Sequence, residues 1–166
     1  MTPASHPSFV SSLADRVSEA FSAIPYSLIA LVGRIAIAGT FWKSGQTKVQ
    51  GFAIDLFEGK IELGWPKFAD STVDLFRDEY KLPVLPPELA ALAATVAEHV
   101  FPVFILLGLA TRLSATALLI MTLVIQIFVY PGAWAIHGTW AAVLLMLMSQ
   151  GAGVISVDRM LSQRYG

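Results

Sequence analysis

Apolar residues gather in four long runs, at about 26–46, 88–108, 113–130 and 139–157, separated by polar or proline-marked breaks. Each run approaches the roughly 20 residues that carry a helix across a hydrocarbon core of about 30 Å. Pro25 opens the first run and Pro86-Pro87-Glu88 the second, as suits helix N-termini. Thr111-Arg112 leaves so short a turn that the second and third helices must be antiparallel neighbours, and Pro131-Gly132 breaks the third from the fourth. Upstream, Val10, Leu13, Val17, Ala20, Phe21 and Ile24 recur at helical spacing among serines and charges, which predicts an amphipathic helix on the membrane surface. That stretch lacks a basic start and is interrupted by Asp15 and Glu19, so it does not read as a signal peptide. Between Thr47 and Pro86 runs a loop of roughly forty residues, long enough to fold back on the membrane; Val73, Leu75, Phe76 and Tyr80 make it partly helical. Trp65 and Tyr80 suit the membrane interface. The expected fold is all-α: an integral membrane four-helix bundle forming a single domain over 1–166, with the amphipathic helix in front and the partly helical loop between spans one and two.

Composition agrees with the pattern. Hydrophobic residues make up 55% of the 166, charged residues only 14%, and the mean hydropathy is +0.66, which is a membrane rather than a soluble composition. The bilayer is therefore the first partner. A formal net charge of −1 gives no footing for nucleic acid. The absence of cysteine removes disulfide frameworks, thiolate metal sites and iron–sulfur clusters from this chain, so a redox role must rest on a borrowed cofactor. Basic residues divide about evenly between the two sides and do not set the orientation. The net-acidic long loop favours the outside, which places the termini in the cytoplasm.

The candidate chemistry lies in the polar residues within the runs. Arg34 sits inside the first and Glu98 near the middle of the second, where an ionised group costs roughly 3 kcal/mol on insertion scales and requires a partner or a task. An Arg34–Glu98 ion pair is the expectation, with a structural register pair and a ligand site both open. Pro102 lacks the N–H that would bond the carbonyl of Glu98, so a side-chain carboxyl and a freed acceptor coincide. Phe41, Trp42 and Lys43 follow Arg34; His99 adjoins Glu98; Gln126 shares a polar stripe with Thr122 and Tyr130; His137 and Trp140 open the fourth span. Together Arg34, Phe41, Trp42, Lys43, Glu98, His99, Gln126, His137 and Trp140 could line a buried polar pocket for a flat ligand with carbonyl oxygens. The simpler readings are interhelical histidines, packing methionines and belt tryptophans. A bis-histidine haem through His99 and His137 has no paired spacing behind it, His6 reads as incidental, and no metal ligand set is expected.

Several of these residues stand in a recognisable order. Arg34, Gly39, Phe41, Gly45 and Lys48 come first, then Glu98 in a proline-containing span, then the turn Gly108-Leu109-Ala110-Thr111-Arg112, and finally Gly151-Ala152-Gly153-Val154-Ile155-Ser156-Val157-Asp158. In this the chain resembles the DoxX family of small bacterial inner-membrane proteins. Leu75 to Pro83 followed by Pro86-Pro87-Glu88-Leu89 looks like a subgroup with a long first loop, and His99 is atypical. The resemblance implies a multi-pass protein of the bacterial inner (plasma) membrane. It also implies a loose redox connection, because the related DoxD protein is a subunit of a thiosulfate:quinone oxidoreductase; it supplies no catalytic residues. The expected function is an accessory or membrane subunit of a redox system, with no covalently bound cofactor, a quinone-like lipid between its helices and a redox or other membrane-associated partner protein. The alternatives are a membrane anchor or assembly partner without enzymatic activity, and a small-solute transporter, for which a homo-oligomer would be needed.

Overall fold

The computed structural model describes residues 9–55 and 59–165; His6 lies outside them. The chain is mostly helical. In order come α1 (Phe9–Ser22), α2 (Tyr26–Gln46), the strands β1 (Val49–Asp55) and β2 (Lys60–Phe68), α3 (Asp70–Asp74) continuing as a π-helix over Leu75–Tyr80, and α4 (Pro87–Leu107). Then follow α5 (Thr111–Val124) continuing as a π-helix over Ile125–Val129, α6 (Trp134–Gln150) and α7 (Val157–Tyr165).

Helices α2, α4, α5 and α6 pack in a closed ring, each against two neighbours. The shared core is made of Ala30, Ile37, Ala38 and Phe41 from α2, Ile105 from α4, Ala115 and Leu118 from α5, and Leu144 and Leu147 from α6. The outward faces are as apolar as the core. Val32 and Ile35 on α2, Val96 and Val103 on α4, Ile120 on α5 and Leu145 on α6 are all exposed. Such a belt is unstable in water and is what hydrocarbon accommodates. Among the described residues, α4 and the continuous helix Thr111–Val129 are long and apolar enough to cross a membrane, and α1 with α2 passes the same criterion as a pair bent by 57°. On α1 the exposed Leu13, Val17 and Phe21 form a stripe at a spacing of four residues.

The long loop departs from its expected form. Its second half is helical around Val73, Leu75, Phe76 and Tyr80 as the spacing requires, but its first half is an antiparallel hairpin, β1 against β2, so the chain is not wholly α-helical. The period-two alternation of Ile61, Leu63 and Trp65 marks β2, and all three are exposed on one side of it. The fourth apolar run also divides differently. Helix α6 covers Trp134–Gln150 rather than 139–157, because Gly151 (φ 82°) and Gly153 (φ 79°) take the backbone into the left-handed half of conformational space and end the helix.

A second, smaller core joins the loop to α4. Phe76 packs on Ala90 and Ala91, with Val73, Tyr80 and Leu82 around it. The first turns of α4 thereby cover the helical half of the loop, and only the remainder runs beside α2. The level at which α2 and α4 meet follows from this.

Candidate functional site

At the closed end of the ring, Arg34 holds the molecule together through backbone oxygens. Its Nε donates to Ile105 O at 2.8 Å and Nη2 to Leu106 O at 2.5 Å, while Nη1 donates to Ala152 O at 3.1 Å and Ile155 O at 2.6 Å. The first two belong to the last turn of α4, where Ile105 O also accepts from Gly108 N at 3.1 Å, and the other two to the segment between α6 and α7. Gly108 makes the approach possible: at φ 67°, a Cβ there would lie 2.5 Å from Ser156 Cβ and 3.0 Å from Arg34 Cζ. Asp158 completes the same junction by accepting from Ala110 N at 2.7 Å and Thr111 N at 2.9 Å, a carboxylate on the N-terminus of α5. Tyr26 donates to Gly151 O at 2.6 Å, so the starts of α2 and α7 lie at one end of the molecule.

The expected Arg34–Glu98 ion pair does not form. Glu98 pairs with Lys48, Nζ to Oε2 at 2.7 Å, with the side chains 3% and 4% exposed. The reason is register. A Cβ on Gly45 would lie 3.1 Å from Glu98 Cβ and 3.0 Å from the His99 ring, so Glu98 is level with the last turn of α2. Arg34 lies eleven residues earlier, about 16 Å along the axis. Lys48, two residues beyond α2, is the cation within reach. Ser44 closes the cluster: Oγ donates to Glu98 Oε1 at 3.2 Å, and Lys48 Nζ donates to Ser44 Oγ and Ser44 O, each at 3.2 Å. Lys48 and Ser44 were not among the candidates read from the chain. Lys48 stands in the family-like order of residues, but nothing in that order links it to Glu98.

His99 belongs to the neighbouring network. Its Nδ1 lies 2.7 Å from Thr95 O, and its Nε2 3.0 Å from Gln46 Nε2. Gln46 Oε1 accepts from Ile54 N at 2.8 Å, so its amide nitrogen faces the ring. The consistent assignment is a neutral imidazole that donates from Nδ1 and accepts at Nε2. Trp42 packs edge-on against His99 at 5.2 Å and donates to Ile54 O at 2.8 Å. Both backbone groups of Ile54 are thus taken by α2, which ties β1 to the helix end. Lys43 lies 4.0 Å from Asp55 on the same strand.

Three other candidates form a separate group. His137 Nδ1 is 2.7 Å from Gln126 Oε1, and Gln126 Nε2 donates to Pro131 O at 2.7 Å. Trp140 sits between His137, at 5.0 Å, and the buried Phe41, at 5.4 Å. The nine residues therefore do not make one pocket. Arg34 serves the closed end, Trp42, Lys43, Glu98 and His99 gather at the end of α2, and Gln126, His137, Trp140 and Phe41 fill the ring from the α6 side.

Beside the second group runs a groove of about 870 Å³ between α2 and α4, lined along its length by Ile35, Ala38, Gly39, Pro102, Val103 and Leu106. Trp42, Lys43, Ser44, Gln46, Thr47 and Asp55 form its polar end. At the far side of the loop, Tyr130, the first residue beyond the π-helix, donates a short hydrogen bond to Glu79. The Glu79 carboxylate, aided by partial burial, holds the Tyr130 hydroxyl above the usual phenol range.

The family model described as DoxX matches residues 29–131, from the first turn of α2 to just past the π-helix after α5. No curated protein and no solved structure matches the chain.

Proposed function

Since this chain belongs to the DoxX family of membrane proteins, we propose that it is an accessory subunit of a redox system that binds a quinone-like lipid in the groove between α2 and α4. In this reading α2, α4, α5 and α6 are a four-helix bundle across the bacterial inner membrane, α1 lies on its surface, and the termini are cytoplasmic. The observation that carries it is the groove itself: an apolar trough on the lipid-facing side, closed at one end by an indole, an ammonium group and two hydroxyls. Such a site suits an apolar body with hydrogen-bond acceptors at one end. The isoprenoid tail would lie along Val103 and Leu106, and the ring beside Trp42 with a carbonyl oxygen toward Lys43, Ser44 or Thr47. The redox part rests on family likeness, with the electrons supplied by a partner protein.

The test is extraction of the protein purified in native lipid, followed by titration with a naphthoquinone while unfolding temperature and tryptophan fluorescence are recorded. Co-purified quinone, a raised unfolding temperature and quenching that Trp42→Phe abolishes are expected. No quinone in the extract together with no thermal response overturns the reading. The alternative, a membrane anchor for a partner protein, draws on the exposed Ile61, Leu63 and Trp65 face of β2. A stoichiometric partner recovered without quinone selects it.

A further inference from the structure

The Lys48–Glu98 pair separates two spaces of opposite character. On one side is the apolar groove. On the other is a polar cleft of about 460 Å³ between the end of α2 and the helical half of the loop, where Lys48 and Thr47 meet Ser71, Asp74, Asp78 and Glu79. Asp74, Asp78 and Glu79 are exposed, so water reaches the cleft. Thr47 borders both spaces, Lys48 the cleft and Ser44 the groove. Between them the donors and acceptors are continuous, from Lys48 Nζ to Ser44 Oγ at 3.2 Å, with Glu98 Oε2 at 2.7 Å from the ammonium and Oε1 at 3.2 Å from the hydroxyl.

We propose that Lys48 and Ser44, positioned by Glu98, relay protons from the acidic cleft to a quinone in the groove as it is reduced, an inference that rests on the quinone reading above. When a carbonyl oxygen enters the polar end of the groove, the Ser44 hydroxyl turns from Glu98 toward it. The Oγ–H bond breaks as the proton joins the reduced ligand oxygen, and Oγ takes a proton from Lys48 Nζ. The amine left on Lys48 regains its proton from the cleft, where Asp74, Asp78 and Glu79 raise the local proton concentration, and the Glu98 carboxylate stabilises the returning ammonium. Each carbonyl oxygen takes one proton, so conversion of quinone to quinol with two electrons from a partner redox protein requires the ligand to turn in the groove and present its second oxygen to Ser44 for a second transfer. Neither cleft nor groove needs to open into the other for this to occur.

The arrangement answers a difficulty of the groove. A ligand carbonyl at the polar end of the groove abuts an apolar trough, and reduction without a proton leaves a charged oxygen at its edge. The Ser44 hydroxyl, backed by the buried Lys48 ammonium, supplies that proton without opening the groove to the cleft.

The experiment is electrode-driven reduction of a naphthoquinone probe bound to the protein in lipid nanodiscs, with affinity measured separately by fluorescence quenching. Three variants are compared with the unaltered chain: Ser44→Ala, Ser44→Thr, and the double variant Lys48→Met with Glu98→Gln, which leaves no unpaired buried charge and so preserves the fold. Proton-coupled reduction is expected to fall about 100-fold in the double variant and in Ser44→Ala, in the range typical of positioned proton transfer, and to lose its solvent deuterium effect. Ser44→Thr is expected to restore both, and the double variant to bind the probe with unchanged affinity. Unchanged rates with intact binding overturn the relay alone. Failure of the unaltered chain to bind the probe overturns the relay and the quinone reading together.

Discussion

The two ends of α2 each bury a cation, and they accommodate it in opposite ways. At the closed end Arg34 meets four backbone carbonyls and no carboxylate within ion-pair distance among the described residues. At the loop end Lys48 meets a carboxylate and a hydroxyl. The guanidinium is a flat fork of five N–H donors that can bridge several fixed acceptors, whereas an ammonium group is a compact point charge that concentrates on one strong acceptor. The Arg34 end is thus a rigid junction, using backbone carbonyls from a helix end and the following segment as its counter-charge. The Lys48 end keeps two groups that can exchange a proton. Equal burial in a membrane protein does not imply equal roles.

Removing Arg34 should have the larger effect. Arg34→Ala leaves the carbonyls of Leu106, Ala152 and Ile155 without their donor and Ile105 O with Gly108 N alone, and a loss of about 4–6 kcal/mol is expected in reversible unfolding in bicelles. Arg34→Lys should recover less than half, since an ammonium cannot span both segments. Full recovery by lysine would show that charge, not the fork, is what matters there. At the other end, Lys48→Met or Glu98→Gln alone should cost about 3 kcal/mol by stranding a buried group, and the double variant should regain most of that loss. If the two single losses simply add, the pair is not coupled and the contrast between the ends disappears.

The smallest expected effect concerns the loop. Tyr130 is held protonated by Glu79, so its pKa in the folded chain is raised. The stabilisation from that bond is complete below the unfolded tyrosine value of about 10 and declines as pH rises above it. Tyr130→Phe should lower stability by less than about 1 kcal/mol at neutral pH and flatten the alkaline decline. An alkaline decline of the same size in the variant would assign it to other groups.

Much of the fold was legible in the chain because its apolar runs have the length and period of membrane helices, and breaks such as Pro25 and Pro86-Pro87 act locally. The partners of Glu98 were not. Arg34 and Glu98 both lie inside apolar runs and so read as a pair, whereas Lys48 stands outside one, in what the pattern assigns to the loop. The hairpin was obscured for a similar reason: Val49–Asp55 and Lys60–Phe68 are short and interrupted by Gly51, Gly64 and Pro66, and their order comes from Trp42 and Gln46 holding Ile54.

By itself, then, the sequence determined that the chain is a helical membrane protein of the DoxX family and that charge buried in its helices needs partners, because hydrophobic length, helix breaks and the cost of burying a charge are properties of residues and near neighbours. Which partners they find was decided by the tertiary structure alone. The docking of Phe76 on Ala90 and Ala91 sets how far α4 extends beyond α2, and that axial offset, which no local pattern encodes, turns Arg34 toward backbone carbonyls and brings Glu98 to Lys48.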